Sequence, residues 1–333
     1  MANPAAQSPK VLLSRLGLVV FALLIVLTHF YRLNDLPAGQ YQDESSIVYN
    51  AYSIAQTGKD EHGMRMPLFF RAFDNYFDPL IIYNLVPWFL FNDLSLNPLR
   101  VLNACIFLLA ALAFALLCTA LFPQRRWAYF GFFVYSLLPW TFPMSRIALG
   151  GNNYMLLGLN LGLFFFIQAY QNHSQKDSCL SALSFSMGLY AYHIARPFYV
   201  LLLLALAGSL FFQWRNHKKE IRAFVTTIFV AALPLAFALL QQSHSFTDRF
   251  QKISLWHQSQ NIGQFFSDFG WHYISYFDPR FLFTIGDENL RHHTGFGGQL
   301  FVFMFPLIAA GLYRILSSLR RSVIARFIFC GLL

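Results

Sequence analysis

Eight separated apolar runs constrain this chain more than any motif in it. They fall at about 11–30, 99–121, 127–144, 147–169, 178–193, 197–213, 221–241 and 299–316. A helix needs about 20 apolar residues to cross a bilayer's hydrocarbon, and most of these runs approach that length. Charged residues make up 12% of the chain and hydrophobic ones 56%. A soluble domain carries about 25% charged residues. The expected fold is therefore an all-α polytopic membrane protein with about eight complete transmembrane helices. The whole chain, 1–333, reads as one membrane-embedded module, because the spans would share one bundle.

The ends and gaps of that pattern carry further expectations. Lys10 and Arg15 precede the first run, and no small-x-small cleavage site follows it, so an uncleaved span is expected. A last apolar run begins near 322 and stops at Leu333, too short to cross, which suggests a C-terminal remainder is missing. Two long polar segments, 31–98 and 242–298, interrupt the runs. Within the first, 44–57 places Ile47, Val48, Ala51, Ile54 and Ala55 at helical spacing, with Gly58 as a C-cap. Residues 80–91 are apolar but short and contain Pro87, so they suit at best an interfacial helix.

The charge distribution orients the chain. The net charge is +9, and a basic balance can signal nucleic acid. Here the Lys and Arg cluster in short loops between apolar runs, the positive-inside pattern, so no nucleic-acid partner is expected. With the N-terminus cytoplasmic, more than half of the 24 basic residues face the cytoplasm, with only two of the 15 acids, Asp177 and Glu220. The 31–98 and 242–298 segments then face outward, toward periplasm or lumen. No P-loop or dinucleotide-binding fingerprint is present. Chemistry at the outer face would use a donor delivered by the membrane. The four cysteines lie in or beside apolar runs without a C-x-x-C pair and read as small hydrophobes.

Several groups could carry that chemistry. Asp43 and Glu44 open the 44–57 helix; a carboxylate there can accept a proton from a hydroxyl, while the plainer role for Asp43 is an N-cap. Lys59, Asp60 and Glu61 form a polar stretch that suits substrate or a solvated turn. Tyr76 and Asp78 belong to an aromatic and acidic stretch of the kind that holds a sugar ring, and equally of the kind found in an interfacial belt. Arg146 and Arg196 stand at outer ends of apolar runs, where a guanidinium fork can bind a lipid phosphate or snorkel to head groups. Arg291 and His292 follow Asp287 and Glu288. Their spacing matches no zinc pattern, so no metal is assigned and no cofactor is expected, with divalent-metal dependence left open.

The order Leu36-Pro37-x-Gly39, Asp43-Glu44, Thr57-Gly58-Lys59-Asp60-Glu61-x-Gly63, Pro79 and Ser145-Arg146 resembles the GT-C superfamily of integral-membrane glycosyltransferases. Within it the chain is most similar to the bacterial branch of protein O-mannosyltransferases and aminoarabinose transferases. The stretch from Tyr276-Phe277 through Gly286-Asp287-x-Asn289-Leu290-Arg291-His292 and the Gly298-Gln299-Leu300 entry into a run add to the likeness.

The resemblance implies inverting transfer of a sugar from a polyprenyl-phosphate donor to an acceptor hydroxyl on protein, lipid or glycan. It implies Asp43 as general base and Glu44 as a supporting ligand, with Arg146, Arg196, Arg291 and His292 meeting the donor phosphate. Three features depart from the pattern. Asp78-Pro79 stands where aminoarabinose transferases carry Lys-Pro. Gly150-Gly151-Asn152-Asn153 stands where mannosyltransferases often carry an acid. Relatives also run well beyond 333 residues. The competing readings are a transporter or flippase for a lipid-linked or small polar substrate, and an inactive truncated remnant. Spans nearly free of acids disfavour transport.

Overall fold

The computed structural model describes residues 9–73, 75–193, 195–210, 216–241, 254–259, 261–289, 291–319 and 325. Asp74, Leu290, Cys330, the start of the 242–298 segment and most of the run from 322 fall outside them. Helices dominate. In chain order they are α1 (Pro9–Phe30), α2 (Gln42–Thr57), α3 (Pro79–Phe89), α4 (Asn97–Leu121), α5 (Arg126–Leu137) and α6 (Thr141–Arg146), then α7 (Asn152–Asn172), α8 (Gln175–Ala191), α9 (Ala195–Leu210), α10 (Lys218–Gln241), α11 (Leu255–Gln258), α12 (Ile262–Ser275) and α13 (Met304–Ser318). A π-helical turn covers Arg280–Thr284. Between α2 and α3 lies one antiparallel hairpin, β1 (Phe70–Ala72) with β2 (Asn75–Phe77), in which Phe70 pairs with Phe77. The sequence reading did not include it.

Each of the eight apolar runs holds a helix, but among the described residues eight complete spans are not found. Among the described residues three helices are long and apolar enough to cross a bilayer: Asn97–Leu121, Asn152–Asn172 and Lys218–Ala238. Leu16–Phe30, Ala195–Ala207 and Met304–Ser318 are apolar but shorter. Hydropathy does not register backbone breaks. The 127–144 run is divided at Leu138–Trp140 into α5, with 12 residues, and α6, with six. The 147–169 run becomes helical only at Asn152, after Gly150 and Gly151.

The 31–98 segment is better packed than an interfacial loop. Ile47, Val48, Ala51 and Ile54 of α2 face Ile81, Ile82, Leu85 and Phe89 of α3, and all eight are buried. That spacing forms the expected helical stripe. Gly58 ends α2 in the left-handed conformation, φ 70°, with its N–H donated to the Ile54 carbonyl at 2.9 Å. Leu99 and Ile106 of α4, Tyr154 of α7 and Ala191 of α8 complete this core. The segment 79–89 thus packs one apolar face on α2, while Trp88 near its end stays half exposed.

Gly151 sets how closely two helices meet. A Cβ built there would lie 1.9 Å from the Ala191 carbonyl oxygen at the end of α8. Gly151→Ala is expected to cost about 1–3 kcal/mol, the range for overpacking, and to lower the thermal unfolding midpoint. Gly270→Ala in α12, with nothing within 4 Å of the added Cβ, is the matched control and should not lower it.

Candidate active site

The site begins at the start of α2. Tyr41 is the N-cap, with extended backbone at φ −78°, ψ 149°. Asp43 is therefore in the first turn and not at the cap. Glu44 reaches back to accept the Tyr41 N–H at 3.3 Å. Successive helical residues point about 100° apart, so the two neighbouring carboxylates separate. Asp43 lines a cavity, whereas Glu44 has no exposure at all.

Glu44 meets Arg100 of α4, which is equally buried. Nε donates to Oε1 at 3.1 Å and Nη2 to Oε2 at 2.9 Å, the bidentate arrangement. The remaining Arg100 donors reach the carbonyls of Leu33, Pro37 and Gly39. Oε1 also accepts the Ala148 N–H at 3.3 Å. Glu44 thus locks α2 to α4 and to the α6–α7 link. It is not placed to touch an acceptor or a sugar, which corrects the supporting role expected from the sequence. Arg100, one residue inside an apolar run, was the available signal for this pair.

Arg146 is corrected in the same way. Only 3% of it is exposed. Its guanidinium donates to the carbonyls of Thr28 at 2.8 Å, Tyr31 at 2.6 Å and Leu36 at 3.0 Å. It caps the end of α1 and holds the turn beyond it, leaving no face for a phosphate. Burial first, then the charge of Arg100, pulls its pKa below the usual range.

The cavity itself is about 330 Å³, within the span of small-molecule sites. Asp43 enters from α2, Tyr76 and Phe77 from β2, and Asp78 from the start of α3. Gly150 and Gly151 form part of the floor, and Tyr192 and His193 come from the α8–α9 link. Asn289, Arg291 and His292 close it from the C-terminal segment. Five residues singled out in the sequence are thereby gathered: Asp43, Tyr76, Asp78, Arg291 and His292. His193 and Asn289 were missed, although each lies within three residues of one that was chosen.

Asp78 is 7% exposed and doubly engaged. It accepts from Arg196 Nη2 at the start of α9, and His193 Nδ1 stands 3.5 Å from its other oxygen. Arg196 also donates to the Leu189 carbonyl and lies over the Phe69 ring. It sits behind the wall and supports Asp78; it does not line the cavity. On the opposite side the Arg291 guanidinium stacks 5.2 Å from the Tyr41 ring centre. His292 Nδ1 lies 3.4 Å from an Asp287 oxygen.

Lys59, Asp60 and Glu61 are outside the cavity. Asp60 Oδ1 accepts the N–H groups of His62 at 3.0 Å and Met64 at 2.7 Å, the signature of a self-contained turn. Glu61 accepts from Asn50 at 2.9 Å and Ser46 at 3.2 Å. These bonds tie the turn to α2 and hold the three residues apart from the cavity that contains Asp43. Two comparisons with known proteins return nothing: no family model matches the chain, and neither does any curated protein.

Proposed function

We propose that this chain is an integral-membrane glycosyltransferase of the GT-C type, moving a sugar from a polyprenyl-phosphate donor to an acceptor hydroxyl at the outer face of the membrane. In this reading the N-terminus is cytoplasmic, the apolar helices form one membrane bundle, and the cavity opens outward. One observation carries it: the first-turn carboxylate Asp43 shares a cavity with Arg291, His292 and His193. An inverting transfer needs that division of labour. Asp43 takes the proton as the acceptor oxygen bonds to the anomeric carbon. The bond from that carbon to the phosphate oxygen breaks, and the electron pair leaves with the polyprenyl phosphate. A phosphate anion needs no general acid, but it needs cations where charge develops. Arg291 and His292 supply that role, and Tyr76 offers a ring face for the sugar. Asp78-Pro79, the departure from Lys-Pro, fits this scheme because Arg196 brings the compensating positive charge to Asp78.

The test is transfer of label from a polyprenyl-phosphate sugar by the reconstituted full chain. Label must appear in an acceptor with release of polyprenyl phosphate. Movement of intact donor between leaflets without release would favour a flippase. Arg291→Ala is expected to lower kcat by roughly 10²–10³-fold, the effect of removing one donor to a developing anion. Arg291→Lys should recover part of it in the same assay.

A further inference from the structure

We propose that His173, His217 and Glu220 form a binding site for a divalent cation of the zinc class. The site lies at the far end of α7 from the cavity. The cavity touches Gly151, just before α7 begins, and His173 follows its last residue, so about 30 Å of helix separates them. The inference is independent of the glycosyltransferase reading.

The geometry points to a ligand in three ways. First, one ligand atom from each of the three side chains lies within 4.8 Å of the others. A tetrahedral zinc ion with bonds of about 2.0–2.1 Å holds its ligand atoms ~3.3 Å apart, so the exposed His173 has to turn toward the other two to close the set. Second, His217 offers a nitrogen with no partner. Its ring stacks on Tyr170 and on His173, both at 4.6 Å, the latter nearly parallel at 4°; a metal lies in the plane of each imidazole that binds it, so His173 leaves this stack when it ligates. The His217 Nδ1 is buried and has no hydrogen-bond partner among the described residues. A buried nitrogen left in this way costs free energy that a metal bond would recover.

Third, Glu220 is only 9% exposed. It borders an apolar groove formed by Phe166 of α7, Leu203 of α9 and Phe224 of α10. A buried carboxylate calls for a cation. Among the described residues no Lys or Arg forms an ion pair with it. A neutral imidazole is the form that binds metal. Two imidazoles with one carboxylate suit zinc better than calcium or magnesium, which favour oxygen ligands. Three protein ligands also leave a fourth position for water.

The test uses the full chain, purified without metal, in a competition titration between the protein and a chromophoric zinc chelator. One zinc ion per chain is expected. His217→Ala, His173→Ala and Glu220→Gln should each weaken binding at least tenfold, while His62→Ala should leave it unchanged. Cobalt substitution should give the visible absorption of a tetrahedral site in the wild type alone. Absence of stoichiometric zinc binding in the wild type would overturn the proposal whatever the variants do. So would equal affinity in wild type and all three ligand variants.

Discussion

Asp43→Asn is expected to abolish nearly all sugar transfer, by roughly 10²–10⁴-fold, the range over which a positioned base acts. The substitution keeps size and polarity and removes only the ability to take a proton. Asp43 sits in the first turn of α2, where the helix dipole stabilises its anion and Asn does not benefit equally. A small stability loss is therefore expected, about 0.3–1 kcal/mol, far below the activity loss. The decisive readout is the split between kcat and donor affinity. Removal of a base should lower kcat and leave donor binding, which depends on Arg291 and His292, nearly unchanged. A folded Asp43→Asn protein with undiminished transfer would remove Asp43 from the mechanism. The reading would then have to find its base among the other cavity groups able to take a proton, Asp78, His193 and His292.

How much of this was legible in the sequence depends on which physical rule each feature obeys. Helical spacing at Ile47, Val48, Ala51 and Ile54, with Gly58 as a stop, is local, and α2 appears where it was expected. The number of spans is not local in that sense. It depends on where the backbone turns, as at Leu138–Trp140 and at Gly150–Gly151, and an apolar window passes over both. The hairpin from Phe70 to Phe77 is three residues a side and too short to show an alternation. Its aromatic residues read equally well as a belt at an interface.

The site was legible in type more than in role. Carboxylates and arginines were picked out because buried charge is expensive and therefore meaningful. Sequence does not say whether such a group faces a cavity or another part of the chain. Arg146 and Arg291 look alike as letters. One serves three carbonyls around the end of α1, and the other closes a cavity over Tyr41. The pair Asp43-Glu44 makes the same point within two residues. At about 100° per residue, two adjacent helical carboxylates point in different directions. That geometry was available from the sequence, although it does not decide which of the two turns inward.

Glu44→Ala should be the most damaging single change to folding, and it separates position from chemistry. It leaves the Arg100 guanidinium buried with only carbonyl partners, at Leu33, Pro37 and Gly39. Breaking one side of a buried pair costs about 3–5 kcal/mol, a large part of a marginal stability of 5–15 kcal/mol. The expected result is a much lower thermal midpoint and loss of monodisperse protein in gel filtration. Asp43→Asn should show neither to a comparable degree. The double variant Glu44→Leu with Arg100→Met is the sharper experiment. Replacing both partners by apolar groups removes the stranded charge, so stability should return toward the wild type. Activity need not return with it. Arg100 also holds the turn from Leu33 to Gly39 that leads directly into Tyr41 and Asp43, and Glu44 also accepts the Ala148 N–H near the cavity floor. A double variant that is stable but slow would show that the buried pair positions Asp43. One that is stable and fully active would show that it serves folding alone.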